Sequence, residues 1–152
     1  MGLAKKWLNV SWMVCLTAMT AYADPHVPHP THWADRVPLF SNLGTLHHPM
    51  MTSAPLAQKY FDQGLRLVFA FNHEEAINSF REAARHAPQA AMPHWGIALA
   101  LGPNINLPMD KAQEKQAVEA IRAALKLVGH VSPTERSYIE ALAQLDVASP
   151  GR

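Results

Sequence analysis

Two amphipathic stripes, separated by a short polar turn, occupy residues 57–90 and constrain the fold more than any other part of the sequence. In the first stripe, apolar and small side chains recur at the spacing of one helical face: Tyr60, Phe61, Gly64, Leu65, Leu67, Val68 and Phe71. The second stripe has the same spacing: Ala76, Ile77, Phe80, Ala83 and Ala84. We therefore expect two helices, over 57–71 and 74–87, that pack together as a hairpin.

The turn and the end of this hairpin carry residues that begin and stop helices. Asn72 has a side-chain oxygen that can accept a hydrogen bond from the first turn of the second helix. Glu75 stands three residues later, at the spacing of a capping box. Pro88 ends the second helix because it lacks an amide donor and its ring clashes with the preceding turn. Both ends of the second helix are therefore marked in the sequence.

Residues 57–90 resemble a tetratricopeptide repeat in their length, about 34 residues, and in the positions of their small and large side chains. The matching positions are Gly64, Ala76, Phe80, Ala83 and Pro88, with Tyr60 and Leu67 replacing the family's usual Trp and Tyr. The runs YFDQGLRLVFAFNHEEAINSF and WGIALALGPNIN extend the resemblance, over residues 52–145, to exported and poorly characterised bacterial proteins of this family. It implies an all-α fold in which small residues let two helix backbones approach and Phe80 fills the space beside them.

A second, less regular hairpin follows, with helices expected over 91–101 and 111–128 and an insertion at 102–110 in its turn. Gly96 takes the role that Gly64 has in the first hairpin. Its second helix repeats the small-large-small stripe with Ala117, Ile121 and Ala124. The same architecture is therefore predicted twice.

A last helix, from 133 to 147, begins with a capping box between Ser132 and Glu135 and has proline at its first position. It corresponds to the first helix of a third repeat, which gives about two and a half tetratricopeptide-type hairpins in a helical domain over 52–148. Because solenoid ends need a polar outer face, either this helix is an adapted cap or the chain is an N-terminal fragment of a longer array. Similar proteins often continue past this point, so the resemblance favours the fragment.

Residues 1–23 have the pattern of a signal peptide. Lys5 and Lys6 precede a mostly apolar run, and Ala21 and Ala23 form an A-x-A cleavage site. The run is too short for a comfortable membrane span, so we expect no stable span after cleavage. Cleavage also removes Cys15, the single cysteine, and with it any disulfide or thiolate ligand. A periplasmic or secreted protein is expected.

The charge and the motifs of the sequence narrow the function. A formal net charge of +1 lacks the basic excess of a nucleic-acid-binding protein, so we expect no nucleic acid as partner. No Ser-His-Asp order, HExxH motif, pair of catalytic carboxylates or phosphate-binding loop can be identified. We therefore expect a protein that is not an enzyme.

Residues 24–51 are rich in proline and histidine, which predicts an irregular arm because proline at this density prevents a helix. His26, His29 and His32 are three residues apart and share one face of a polyproline helix. Imidazoles in this arrangement suit copper or zinc. Two interpretations stay open, a soluble proline-rich linker without a cofactor and a metal-binding arm.

The inner face of the first helix is where the family resemblance places partner binding. This face carries Phe61, Leu65 and Phe69, and the Lys and Asn of the family's carboxylate clamp are missing at Phe61 and Leu65. The resulting apolar groove holds either a hydrophobic protein or peptide partner, or residues 33–43 of the arm. An exposed apolar strip of this length is unusual on a monomer, which favours the arm.

Three polar residues in turns are further partner-binding candidates. His73 lies in the turn of the first hairpin beside acidic residues, which are also explained by their favourable interaction with a helix N-terminus. Asn104 and Asn106 lie in the insertion, where bonding to nearby backbone is the commoner role of asparagine. The sequence therefore predicts an exported helical-repeat scaffold that binds a protein or peptide. The alternative is a periplasmic accessory protein that binds copper or zinc through its N-terminal histidines.

Overall fold

A computed structural model of the chain describes residues 37–103 and 109–147, and these residues form α-helices and irregular segments without a strand. The helices are α1 (Pro55–Phe69), α2 (His73–His86), α3 (Met92–Leu101), α4 (Lys111–Lys126) and α5 (Pro133–Val147), with a short 3-10 helix, Val128–His130, before α5. The all-α class expected from the sequence is confirmed for this part of the chain. Within the same ranges, no helix combines the length and the apolar character needed to cross a membrane.

The five helices are arranged in two layers. Each helix packs against its neighbours in sequence, and α3 also contacts α1 and α5. One layer therefore contains α1, α3 and α5, and the other contains α2 and α4. The turns from α1 to α2 and from α2 to α3 are short, so each of these helices reverses the direction of the one before it, and α1 and α3 run the same way.

Phe80 of α2 lies in the middle of this packing and is fully buried. A Cβ atom built on Gly64 of α1 would lie 2.5 Å from the Phe80 ring, and one built on Gly96 of α3 would lie 2.6 Å from it. Both distances are far below van der Waals contact, so only glycine fits at either position with the ring in place. The contact predicted between Gly64 and Phe80 is confirmed, and Gly96 makes the same contact from the other side.

Helix α1 ends two residues earlier than its apolar stripe suggested. The Phe71 amide donates to the carbonyl oxygen of Val68 at 3.0 Å, and the Asn72 amide donates to that of Leu67 at 2.9 Å. This pair of bonds is a Schellman motif, which requires a left-handed residue after the helix, and Phe71 has φ +60°. Phe71 therefore leaves the helix and its side chain is exposed, contrary to its expected place in the core stripe.

The starts of α2 and α5 carry the capping residues expected from the sequence, but at α2 only the Asn72 side chain takes part and that of Glu75 does not complete the capping box. The Asn72 side chain accepts from the Glu75 amide at 3.5 Å, a long bond that caps α2. Asp110 and Gln113 form a reciprocal capping box at α4. Ser132 and Glu135 form the predicted box at α5, where the Glu135 carboxylate accepts from the Ser132 amide at 2.7 Å.

Residues 37–51, which we call the strap, are the described part of the predicted irregular arm and lie along α1. Side chains of α1 bond to the strap backbone from Val37 to Met50: Tyr60 to Val37, Gln63 to Pro38 and Phe40, Arg66 to Leu46, Asp62 to His48, and Gln58 to His48 and Met50. From Leu46 to Met50 the strap runs antiparallel to α1, because its partners move back from Arg66 to Gln58. The strap therefore covers the polar side of α1.

Candidate functional site

The three inner-face residues of α1 that the sequence suggested for partner binding differ sharply in exposure. Phe61 is 0 % exposed and Leu65 is 5 % exposed, whereas Phe69 is 70 % exposed. A partner that approaches this structure therefore meets Phe69, while Phe61 and Leu65 belong to the core. The continuous apolar groove expected over all three residues is not open.

The strap contacts Phe61 through His48, which follows the expected residues 33–43, while Val37 and Leu43 from that range pack against the core that contains Phe61 and Leu65. The His48 ring lies 6.2 Å from the Phe61 ring and 5.7 Å from the Tyr138 ring of α5, centroid to centroid. Leu43 packs against the core, and Trp33 lies outside the described residues. His48 reaches Phe61 because residues 46–50 run antiparallel to α1, which brings this part of the strap back along α1 towards α5.

Two polar side chains of α1, those of Asp62 and Gln63, already have hydrogen-bond partners within the fold. Asp62 accepts three hydrogen bonds, from the His47 ring at 2.7 Å, from the His48 amide at 3.0 Å and from Gln58 at 2.9 Å. Gln63 bonds to the strap and donates to Ser79 of α2 at 3.1 Å. Both side chains are buried, so their hydrogen bonds replace the water that they lose on folding. They offer no free group to a partner.

The best candidate site is the α1–α2 corner, which we define as residues 69–75. Phe69 and Phe71 are 70 % and 65 % exposed there, the two highest values among the large hydrophobic side chains that the structure describes. Phe71 also holds a left-handed φ of +60°, which glycine or asparagine adopts more easily. A bulky aromatic residue at this position is unfavourable both for the backbone and for solvation.

His73, the first residue of α2, adds a second unusual feature to the corner. Both ring nitrogens are shielded from solvent and neither has a hydrogen-bond partner among the described residues. The ring lies 6.3 Å from that of Phe71 at an angle of 67°. A shielded polar group without a partner costs about 1–3 kcal/mol. Of the described residues that the sequence suggested as a site, His73 is thus the one whose position is least explained by a contribution to stability.

Negative charge lies next to the two rings. Glu74 and Glu75 follow His73 in the first turn of α2, and neither forms an ion pair within the described ranges. Both also face a cavity of about 680 Å³ between the strap and α2, which is lined by Val37, Phe40, Glu74, Glu75, Asn78, Arg81 and Glu82. Glu82 is bonded to Arg85 at 2.7 Å, an exposed guanidinium whose pKa is raised by this carboxylate. The corner therefore joins exposed aromatic rings to unneutralised carboxylates.

A second cavity, of about 730 Å³, lies at the opposite end of α1 and is lined by residues that include Met51, His86 and His130. His86 stacks on Tyr60 with ring centroids 5.7 Å apart and lies 3.7 Å from the Glu82 carboxylate. Its position is explained by these contacts within the fold. Elsewhere, burial lowers the pKa of His94 on α3. These groups show no arrangement that indicates a reaction.

The remaining candidates from the sequence are outside the described residues. They are Asn104 and Asn106 in the insertion, and His26, His29 and His32 in the arm. The copper or zinc site suggested by these three histidines therefore stays a prediction. Within 37–103 and 109–147, no three His, Cys, Asp or Glu side chains are grouped as metal ligands.

Phe71 is the residue of the candidate site that the sequence reasoning missed. Its spacing continues the apolar stripe of α1, and this assigned it to the core. The available signal was its place directly before Asn72, the cap of α2, because a residue between two helices has to leave the first one. Comparison of the chain with family models, with curated proteins and with solved structures finds no match.

Proposed function

We propose that this chain is an exported scaffold of tetratricopeptide-type hairpins that binds a protein or peptide at the α1–α2 corner. The observation that carries this proposal is the pair of exposed rings, Phe69 and Phe71, on an otherwise well-packed helical core. Aromatic side chains supply much of the binding energy of protein interfaces when a partner covers them. Export to the periplasm or the medium is proposed from the pattern of residues 1–23.

The assignment to tetratricopeptide-type hairpins is supported by the packing of Phe80. A large ring between Gly64 and Gly96 is the arrangement that the small and large positions of this repeat require. The two-layer order of the helices, with α1, α3 and α5 on one side, supports it as well. We propose binding at the corner instead of the groove because the strap fills the groove at Phe61.

A site-specific photo-crosslinker tests this function in cells that produce the full-length chain. The crosslinking amino acid replaces Phe69 in one variant and Leu125, a partly exposed residue of α4, in a matched control. We expect a discrete adduct from position 69 and none from position 125. The protein identified in the adduct should then bind the purified chain, and Phe69→Ser should weaken this binding. Equal adducts from both positions, or none from either, would refute the proposal.

A further inference from the structure

We infer, on the basis of the proposed scaffold function, that the partner presents an apolar segment flanked by lysine or arginine to the α1–α2 corner. The apolar half of this recognition is Phe69 and Phe71. Glycine at position 71 would satisfy the Schellman motif at lower conformational cost, and it would expose no ring to water. Phe71 is therefore not the residue that the backbone and the solvation of the isolated corner favour. Binding of a partner that covers the ring would explain why phenylalanine stands at this position.

The charged half is the row of carboxylates next to the rings. Glu74 and Glu75 have no cation partner within the described ranges, whereas Glu82, further along α2, is paired with Arg85. Among the described residues, Arg81 is the one cationic residue in the cavity lining, against the two unpaired carboxylates of Glu74 and Glu75. A helix N-terminus explains acidic residues in the first turn. It does not explain the exposed apolar side chains of Phe69 and Phe71 in the same corner, or that of Phe40 in the cavity lining. Charge complementarity then selects a basic flank on the partner.

The same charges argue against a second copy of this chain as the occupant. A two-fold symmetric contact through the corner would bring the same surface of both copies together. Glu74 and Glu75 of one copy would then approach those of the other, and like charges at close range oppose association. The partner is therefore a different protein segment with the opposite charge.

Two short synthetic peptides test the inference by fluorescence anisotropy on the purified protein, expressed from the complete sequence. They share one pattern of leucines and differ in carrying lysines or glutamates at the flanking positions. We expect the lysine peptide to bind at least about tenfold more tightly than the glutamate peptide. This preference should shrink at high salt, because exposed charges are screened.

Two sets of variants separate the apolar from the charged contribution. Phe71→Gly should weaken binding of the lysine peptide by about tenfold and should raise the melting temperature, since glycine suits the left-handed position. Glu74→Gln combined with Glu75→Gln should remove most of the preference for lysine. Leu125→Ser and Glu119→Gln on α4 are matched controls at exposed positions, and we expect both to bind as the unchanged chain does.

Several outcomes would overturn the inference. Equal binding of both peptides, absence of binding, or binding unaffected by the Phe71 and Glu74/Glu75 variants would each do so. Self-association of the chain that Phe71→Gly abolishes would assign the corner to a second copy. Failure of the scaffold function itself would look different, because the crosslinker at position 69 would then yield no adduct. If the crosslinker at position 69 yields an adduct but the lysine peptide binds no more tightly than the glutamate peptide, the scaffold function stands and the proposal of a basic partner is refuted.

Discussion

Phe80 determines how closely α1, α2 and α3 approach, because its ring touches a glycine on each side. We predict that Gly96→Ala lowers the free energy of unfolding by about 1–3 kcal/mol, the usual cost of overpacking a filled core. The added methyl group would lie 2.6 Å from the ring, which cannot move away because Gly64 lies behind it. Urea denaturation measures this change.

Gly129 provides the matched control for this substitution. A Cβ atom built there meets no atom within 4 Å, so Gly129→Ala should change the free energy of unfolding by less than about 0.5 kcal/mol. If Gly96→Ala were as harmless as Gly129→Ala, the ring would not be confined as described.

His94 should make stability depend on pH. Burial lowers its pKa below the ordinary value of 6.5, so below that pH the unfolded state binds more protons than the folded state. The free energy of unfolding therefore falls as the pH decreases from 6.5 towards the folded-state pKa. His94→Asn should remove this part of the dependence, and denaturation at a series of pH values measures the difference between the two proteins. Parallel stability curves would contradict the prediction.

Residue spacing predicted the buried partners of Phe80 well and Phe71 badly. Gly64 lies in the buried stripe of α1, and Ala76 and Ala83 lie in that of α2. A buried helical face imposes such a period on the sequence. The apolar period continues through Phe71, but the helix ends before it. The hydrogen bonds that end α1 depend on the local backbone geometry after Val68, which the period does not show. Exposure of a large ring is therefore visible only once the end of the helix is known.

The sequence of helix α1 has an apolar and a polar face, as in a surface helix, but side chains on both faces are buried. Its polar residues Asp62 and Gln63 are buried as completely as its apolar face, because the strap covers them. The sequence could not reveal this, since the strap has no periodic pattern and holds α1 through side-chain bonds to irregular backbone. The existence of the helices was predictable, and the occupation of the groove by this segment was not.

Asp62→Ala should loosen the strap while leaving the helices folded. The substitution removes the acceptor for His47, the His48 amide and Gln58, and a buried bond of this kind contributes about 1–3 kcal/mol when a donor is left unpaired. We expect faster hydrogen exchange at residues 46–50 and a lower free energy of unfolding. Glu140→Ala, on the exposed side of α5, is the control and should change neither. Unchanged exchange in the strap would contradict the prediction.

One buried carboxylate, that of Glu135, links the strap to the start of α5. Glu135 accepts from the Ser132 amide at 2.7 Å, as the cap of α5, and from the Met51 amide at 2.7 Å, at the end of the strap. It is 4 % exposed. A single side chain therefore links the first and the last described segments of the fold.

We predict that Glu135→Ala lowers the free energy of unfolding by about 2 kcal/mol or more, because it removes a helix cap and a buried bond together. Ser132→Ala removes only the bond from the Glu135 amide and should cost about 1 kcal/mol. Thermal denaturation compares the two variants, and hydrogen exchange should increase near Met51 only for Glu135→Ala. Equal costs would show that the bond to Met51 adds no stability.

The link between Met51 and Glu135 spans 84 positions of the sequence. The N-terminus leaves the ribosome first, so Met51 emerges before its hydrogen-bond acceptor, Glu135, has been synthesised. Until then the end of the strap lacks its bond to α5, although the bonds between the strap and α1 need only residues 37–66. The link between the strap and α5 therefore forms only after most of the described sequence has been made.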